Sequence, residues 1–351
     1  MSSSARHIPS LDGLRALSFL LVFVAHSGLE RYVPGGLGVT IFFFLSGFLI
    51  TTLMRAEYEK NGFINFRHFW LRRALRILPP FYLVLIAATA ASMVLLPGSV
   101  AVKPVAAQAL HYSNYWIIDK GYEGLPAGTG VYWSLAVEEH FYLVFPWLYS
   151  GIQKLKISPR NQAVVFWGLC GLVLLWRCVL VFGMHVSVDR TYMASDTRLD
   201  SILFGSALAV WKNPVLDTVA FREARWKYLY VPVAFLVMVA CLTVRGDEFR
   251  ETLRYSLQGA ALTILFSAAI RYPTWAPFRL LNLRPMVMIG LFSYSLYLLH
   301  YAVIAAMEVL FPAWHALIQA VLAFGISLAL SWLLYVWVEK PCARLRRKLS
   351  D

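Results

Sequence analysis

The chain has 351 residues, of which 59% are hydrophobic and only 15% are charged, and its mean hydropathy is +0.62. These values exceed those of a typical soluble domain of this length, so they exclude an ordinary soluble protein and indicate a polytopic integral membrane protein. The formal net charge of +13 does not require a nucleic-acid partner, because an excess of Lys and Arg in cytoplasmic loops produces the same balance.

Apolar runs near the roughly 20 residues that cross about 30 Å of hydrocarbon predict an all-α fold with about ten transmembrane helices. The stretch 104–118 is shorter and more polar, so we expect an interfacial or re-entrant segment there. No repeat or linker divides residues 1–351, which indicates a single membrane domain with no appended soluble domain. The predicted spans are 10–28, 36–54, 77–97, 131–150, 163–184, 197–211, 228–244, 255–270, 285–310 and 316–338.

The distribution of basic residues predicts the topology. With the N-terminus inside, the inner segments hold 22 of the 32 Lys and Arg residues, and the outer loops hold seven. Because basic residues collect on the cytoplasmic side, both termini are expected in the cytoplasm. None of the four cysteines falls in an outer loop, so neither a disulfide framework nor a metal site is predicted.

The first predicted span, "LDGLRALSFLLVFVAHSG", carries Arg15 and His26 within an apolar run. Eleven residues advance an ideal helix by three turns plus about 20°, which places both side chains on one face about 16 Å apart along the axis. A buried Arg costs roughly 2.5 to 3.5 kcal/mol on insertion scales, and intramembrane ionisable residues usually mark a functional pathway. The alternative is that Arg15 snorkels to the inner surface and His26 is an interfacial residue.

The second span, "GGLGVTIFFFLSGFLITTL", contains the small residues Gly36, Gly38, Ser46 and Gly47. Such residues let a neighbouring helix or a ligand approach the backbone closely. Close helix packing is the favoured interpretation, and direct contact with a ligand is the alternative.

A basic cluster follows in "FWLRRALRILPPFYL", which places Arg72, Arg73 and Arg76 at the cytoplasmic mouth of the third span. Guanidinium groups suit bidentate binding of a phosphorylated ligand. Topology and contact with lipid headgroups form the alternative explanation.

The span that opens with "VYWSLAVEEHFYLVFPW" places Glu138 and Glu139 about two turns in from the outer surface, near the expected depth of His26. Neighbouring helical residues point about 100° apart, so only one of the two carboxylates is expected to face the interior lane shared by Arg15 and His26. The alternative is a structural ion pair with a buried arginine such as Arg198.

Residues 98–130 form the longest outer segment and are rich in aromatic residues. Aromatic faces can stack on sugar rings, so this segment is predicted to help hold a carbohydrate over His26. The alternative is an aromatic belt at the membrane interface. The predicted substrate-binding residues are Asn114, Tyr115, Trp116 and Trp133.

Two motifs near the C-terminus are interpreted as structural. In "LFSYSLYLLHYAV", Ser293, Tyr297 and His300 share one helix face, and in "WVEKPCARLRRK" Glu339 ends the last span, where it could pair with Arg15 or the 72–76 cluster.

Together these segments resemble acyltransferase family 3, bacterial membrane proteins that move acyl groups onto hydroxyls of extracytoplasmic sugars. The resemblance covers essentially the whole chain and consists of seven motifs in the order of the family. These are "LDGLRALSFLLVFVAH", "GVTIFFFLSGFLIT", "RRALRILPPFY", "YWSLAVEEHFYLVFPW", "DTRLDSILFGSALA", "FSYSLYLLH" and "VEKP".

The resemblance implies an O-acyltransferase of the bacterial cytoplasmic membrane, with acyl-CoA, most often acetyl-CoA, as donor and an extracytoplasmic carbohydrate or glycoconjugate as acceptor. It implies catalytic roles for His26 and for Glu138 or Glu139. Many relatives carry Asp where this chain has Thr40, so another carboxylate must supply that charge or it is absent. The residues expected to bind the donor are Arg15, Ser46, Arg72, Arg73 and Arg76.

A transporter or flippase is the main competing function, because intramembrane Arg, His and Glu also serve substrate and proton pathways. No inverted repeat supports it. A sensory or scaffold membrane protein is a third possibility, but it would leave the pairing of Arg15 with His26 unexplained.

Overall fold

The computed structural model describes residues 8–218 and 222–348, so Arg6, one of the basic residues assigned to the inner side, lies outside them. Within these ranges the chain is helical and has no β-strand, which confirms the all-α prediction. The α-helices are α1 (Pro9–Val24), α2 (Gly35–Asn61), α3 (Phe66–Leu95), α4 (Val102–Ala109), α5 (Ser113–Lys120), α6 (Trp133–Lys154), α7 (Pro159–Cys178), α8 (Val188–Met193), α9 (Ser195–Val210), α10 (Glu223–Arg225), α11 (Val231–Thr243), α12 (Asp247–Glu251), α13 (Leu253–Arg271), α14 (Ala276–Arg279), α15 (Arg284–Leu291), α16 (Ser293–Leu310), α17 (Ala316–Leu334) and α18 (Lys340–Lys348).

Eight helical segments of the described chain are long and apolar enough to cross a membrane, by length and composition. Each overlaps one of the ten predicted spans, so a multi-pass membrane protein is confirmed. These segments are Pro9–Leu29, Gly35–Asn61, Phe66–Leu95, Pro159–Gly183, Glu223–Thr243, Leu253–Arg271, Ser293–Leu310 and Ala316–Arg346.

The two other predicted spans, 131–150 and 197–211, form α6 and α9 but do not join this group. Helix α6 has 22 residues and carries Glu138 and Glu139 within its first two turns. Helix α9 has only 16 residues, and it is buried on most of its surface between α2 and α7. Their polar residues therefore face other helices rather than lipid, so a selection by apolar composition does not detect these two helices.

The ends of several helices differ from the predicted boundaries. Helix α1 ends at Val24 and continues as a π-helical turn, Ala25–Leu29, in which Ser27 and Gly28 leave the helical conformation. The predicted span 285–310 is broken at Phe292 into α15 and α16. The polar stretch 104–118 forms the eight-residue helices α4 and α5, each only about 12 Å long.

Helices α2 and α9 cross at very close range because glycines meet the opposite backbone. A methyl group built on Gly47 would lie 1.9 Å from the carbonyl oxygen of Ile202, and one built on Gly205 would lie 2.0 Å from that of Phe44. The close-packing interpretation of Gly47 is therefore confirmed. This contact holds α2, which lines the site described below, against the centre of the bundle.

A buried ion pair joins α9 to α7 and α13. Both nitrogens at the end of Arg177 reach the carboxylate of Asp200, at 2.9 and 2.7 Å, and Arg177 also donates to the hydroxyl of Ser256 at 2.7 Å. Breaking such a pair from one side leaves an uncompensated buried charge and costs about 3 to 5 kcal/mol. We therefore assign Arg177 and Asp200 the structural role of fixing α9 against α7 and α13.

Candidate active site

In the described part of the chain, two cavities of the helix bundle are each lined by several charged residues. The first, which we call the arginine cavity, has a volume of about 90 Å³ and is lined by Arg15, Arg73 and Arg76 together with Ser46, Glu138 and Glu139. The second, the histidine cavity, has a volume of about 410 Å³ and is lined by His26, Trp133, Tyr192, Glu251, Arg254 and Tyr255, among others. Among the lining residues of the two, Val39 and Tyr297 border both.

The arginine cavity brings together cations from two helices. Arg15 of α1 forms a 2.8 Å ion pair with Asp12, one turn earlier on the same helix. Arg73 of α3 lies over the ring of Tyr142, with 5.6 Å between the guanidinium carbon and the ring centroid. Arg76, one turn further along α3, is exposed. The three guanidinium groups give this cavity donors suited to an anionic, phosphate-bearing ligand.

The carboxylates of α6 belong to the same cavity. The hydroxyl of Tyr142 donates to Glu138 at 3.0 Å and lies 2.8 Å from the hydroxyl of Ser46. Glu139 also lines this cavity, so both acidic residues face it. The sequence predicted that only one of them faces the lane shared by Arg15 and His26, near the depth of His26; the structure places both with the arginines, which corrects that expectation.

Arg72 is the predicted donor-binding residue that does not line the arginine cavity. Its guanidinium donates to Glu57 of α2 at 2.8 Å. Because residues 72 and 73 point about 100° apart on a helix, Arg73 and Arg76 can face the cavity while Arg72 binds α2.

His26, in the turn after α1, lines the histidine cavity and lies beside His300 of α16. Nδ1 of His26 lies 3.0 Å from Nε2 of His300, and Nδ1 of His300 lies 2.8 Å from the carbonyl oxygen of Tyr297. A carbonyl oxygen only accepts, so Nδ1 of His300 carries a hydrogen. In neutral His300, Nε2 is then an acceptor, and Nδ1 of His26 must donate to it. This assignment leaves Nε2 of His26 unprotonated, as a general base requires.

The π-helical turn changes the relation between Arg15 and His26. The ideal-helix calculation holds only as far as Val24, because the following turn has a different pitch and a break at Ser27 and Gly28. Arg15 and His26 consequently line different cavities. The expectation that Arg15 and His26 share one face of a regular helix is replaced by two compartments that adjoin at Val39 and Tyr297.

The wall of the histidine cavity is aromatic and basic. Trp133 and Tyr192 pack with their ring centroids 4.8 Å apart. Tyr255 accepts a 3.0 Å hydrogen bond from Arg254, whose Nη2 also lies 3.7 Å from Glu251. Aromatic faces beside an arginine and a carboxylate form a surface that can bind a ring bearing several hydroxyl groups.

Three of the predicted substrate-binding residues are not among those that line this cavity. Asn114 is fully buried and donates to the carbonyl of Met193 and the hydroxyl of Ser195. Tyr115 stacks on His140 with its ring centroid 6.0 Å away, and Trp116 lies on the same short helix, α5. Trp133 is the member of the predicted set that reaches the cavity.

Sequence reasoning assigned only structural roles to His300 and Tyr297 and did not consider Tyr142. Two signals could have found them. His300 follows Tyr297 by three residues, and Tyr142 follows Glu138 by four, spacings that bring side chains together on a helix. Glu339, expected near Arg15 or the basic cluster, accepts a short hydrogen bond from Ser295.

Among residues 8–218 and 222–348, no group of three or more His, Cys, Asp or Glu side chains could hold a metal ion. The groups present can bind a phosphate-bearing ligand in one cavity and move a proton in the other. The fold and these two cavities therefore define a multi-pass membrane protein equipped for group transfer.

The profile named "Acyltransferase domain" matches residues 8–336. The chain belongs to this acyltransferase family, as its motifs predicted. No solved structure matches the chain significantly.

Several curated proteins are similar to this chain. The peptidoglycan O-acetyltransferase OatA of Listeria monocytogenes is 30% identical over 344 aligned positions, and the alignment covers 92% of this chain and 54% of that protein. YrhL of Bacillus subtilis, provisionally named a peptidoglycan O-acetyltransferase, is 33% identical over 361 aligned positions, and the alignment covers 96% of this chain and 55% of YrhL. The chain thus spans about half the length of the curated relatives it matches.

Proposed function

We propose that this chain is a membrane O-acetyltransferase that moves an acetyl group from cytoplasmic acetyl-CoA to a hydroxyl of an extracytoplasmic carbohydrate or glycoconjugate. One observation carries the proposal: a cavity lined by three arginines adjoins a cavity lined by His26, with Val39 and Tyr297 bordering both. Each cavity supplies what one of the two substrates requires. The names of OatA and YrhL support acetyl as the group and a glycan as the acceptor.

The lining residues support the orientation. The histidine cavity is bordered by Glu30, Pro34 and Arg250, which lie in connections that the basic-residue count assigns to the outside. The arginine cavity is bordered by Arg73 and Arg76, which the same count assigns to the inside. We therefore propose that the protein lies in a bacterial cytoplasmic membrane with both termini in the cytoplasm. In this topology α6 and α9 also cross the membrane and bring the number of spans from eight to ten.

On the donor side, Arg15, Arg73 and Arg76 are proposed to bind the phosphates of CoA. A guanidinium offers two parallel N–H donors to a phosphate, and Ser46 adds a hydroxyl in the same cavity. Arg15 and Val24, the last residue of α1, are about 14 Å apart along the helix axis, and the pantetheine arm is of the same order of length. The thioester can thus reach the boundary with the histidine cavity while the phosphates stay at the arginines.

The reaction follows from the protonation state of the two histidines. Nε2 of His26 takes the proton of the acceptor hydroxyl as its oxygen attacks the thioester carbonyl. The carbon–sulfur bond breaks, the acetyl group stays on the acceptor oxygen, and the leaving sulfur takes the proton from His26. His300 accepts from Nδ1 of His26 throughout, which orients the ring and stabilises its protonated form. A covalent acetyl-histidine is the alternative order of the same bond changes.

Glu138 and Glu139 are proposed to act on the donor side. Glu138 fixes the hydroxyl of Tyr142, on whose ring Arg73 lies. The two carboxylates also offset part of the positive charge of the arginine cavity. This is a positioning role, proposed in place of the catalytic role that the resemblance implied.

The acceptor is proposed to bind in the histidine cavity beside Trp133, Tyr192 and Tyr255 rather than on the segment 98–130. These rings lie on the same cavity wall as His26, together with Arg254 and Glu251. Soluble peptidoglycan fragments are the first acceptor to test, because the relatives named above are named for that polymer.

The experiment is a sided assay in proteoliposomes. Acetyl-CoA is added on one face and peptidoglycan fragments are enclosed on the other, and both thiol release and acetylated fragment are measured. Equal amounts of the two products, absent with His26→Ala, are expected. Thiol release without acetylated fragment would reject a glycan acceptor of this class, and no thiol release would reject the transferase itself. Mass analysis of envelope glycans from cells with and without the gene then identifies the natural acceptor.

A further inference from the structure

The boundary between the two cavities is formed by one aliphatic and one aromatic side chain. Val39 of α2 and Tyr297 of α16 border both compartments, and each is only 6% exposed. On the proposed function, the acetyl group of the donor has to reach this boundary from the arginine cavity and be attacked from the side of His26. Val39 and Tyr297 therefore lie beside the acyl group, which is the part that differs between one acyl-CoA and another.

Tyr297 is held on several sides. Its hydroxyl lies 2.6 Å from that of Ser134 and 3.1 Å from the carbonyl oxygen of Val131. Its ring meets Phe42 edge to face, with 5.8 Å between the centroids. Its own carbonyl accepts from His300. The side chain that forms this wall is thus fixed by Ser134, Val131 and Phe42, while the main chain of the same residue holds His300.

Val39 is held by the backbone of α2, which is locked on its other face. The next residue, Thr40, is fully buried, donates to the carbonyl of Gly36 at 3.1 Å and accepts from Arg198 at 2.9 Å. A β-branched side chain such as Val39 also has few rotamers in a helix. Neither wall can retreat cheaply from a larger group.

We propose that Val39 and Tyr297 are the specificity-determining residues for the acyl group, and that they form a size filter which admits acetyl and rejects longer acyl chains. This inference rests on the proposed function. A longer chain adds methylene groups beside two buried, packed side chains, and packed interiors accommodate added volume poorly.

The test measures kcat/KM of the reconstituted protein with acetyl-CoA, propionyl-CoA and butyryl-CoA. The size of one methylene group changes discrimination by about 10- to 200-fold in a fitted apolar pocket. Val39→Ala is expected to raise the butyryl-to-acetyl ratio at least about tenfold. Val39→Ile is expected to lower the butyryl-to-acetyl ratio of kcat/KM. It is also expected to lower kcat/KM for propionyl-CoA more than for acetyl-CoA.

Val84→Ala is the matched control. Val84 is also a buried valine, on α3, and is not among the lining residues of either cavity. It reports general loosening of the bundle, so its ratio is expected to match that of the wild type.

Tyr297→Phe provides a second variant that keeps the ring and the carbonyl that holds His300. Loss of its two hydroxyl contacts is expected to relax acyl selectivity while the pH profile of acetyl transfer is retained.

Unchanged acyl ratios in both Val39 variants overturn the filter, as does an equal change in Val84→Ala. If the wild type transfers from no acyl-CoA at all, the proposed function fails. Wild-type transfer with unaltered selectivity in the Val39 variants refutes only the filter.

Discussion

The two cavities differ in how the chain builds them. The arginine cavity uses charged residues of α1, α3 and α6, and its predicted residues mostly arrive where the sequence placed them. The histidine cavity depends on a π-helical turn, on His300 of α16, which contacts His26, and on aromatic residues of α6, α8 and α13. Binding of a multiply charged ligand needs only cations near one mouth, whereas proton transfer needs one nitrogen in one tautomer. The second demand can be met only by contacts across the fold.

The largest expected effect comes from removing the base in the histidine cavity. His26→Ala is expected to lower kcat by about 10² to 10⁴-fold, the usual contribution of general base catalysis. Acetyl-CoA binding, measured by equilibrium titration, should stay within a factor of about two because His26 does not line the arginine cavity. Wild-type turnover in this variant would show that His26 is not the general base.

A smaller loss is expected when the partner of that base is removed. His300→Ala leaves His26 without the acceptor that fixes its tautomer, so kcat should fall by about 100-fold, the cost of misplacing a reacting group. KM for acetyl-CoA should not change. His111→Ala is the control, because His111 is not among the residues that line either cavity. Similar kinetics for the two variants would assign His300 a purely structural role.

The arginine cavity is tested by Arg15→Lys and Arg73→Lys. Lysine keeps the positive charge but lacks the planar pair of donors, so the Kd for acetyl-CoA should rise about tenfold, equivalent to about 1.4 kcal/mol. The matched control is Arg72→Lys, whose guanidinium binds Glu57 instead. A rise in Kd for Arg72→Lys equal to that for Arg73→Lys would argue for binding by general charge alone.

The smallest effect is expected from the aromatic wall of the histidine cavity. Trp133→Ala is expected to raise KM for the glycan acceptor a few-fold, in line with about 0.5 to 1.5 kcal/mol for an aromatic contact, and to leave acetyl-CoA binding intact. Trp116→Ala, on α5, should leave acceptor kinetics normal and change only the amount of stable protein. The reverse pattern would return the acceptor to the segment 98–130.

Much of the arginine cavity could be predicted because burying charge in a membrane is costly, so Arg15, Arg73 and Arg76 stand out against an apolar background. The cavity that Glu138 lines could not be predicted from the sequence. The sequence gives depth along one helix, but Trp133 and Glu138, about 7.5 Å apart along α6, line different cavities. Where the boundary between the cavities falls depends on side chains from α2 and α16, which no feature of α6 encodes.

The sequence by itself determined the membrane class, the all-helical fold, the family and the identity of the ionisable residues, because hydropathy, helical period and motif order are local properties of the chain. Only the tertiary structure decided that His300 holds His26, that Val39 and Tyr297 separate the two cavities, and that Asn114 is occupied by Met193 and Ser195. The physical reason is the separation along the chain between the residues that must meet. A helix fixes which of its own residues share a face, whereas partners 274 positions apart, as His26 and His300 are, meet only through the packing of the whole bundle.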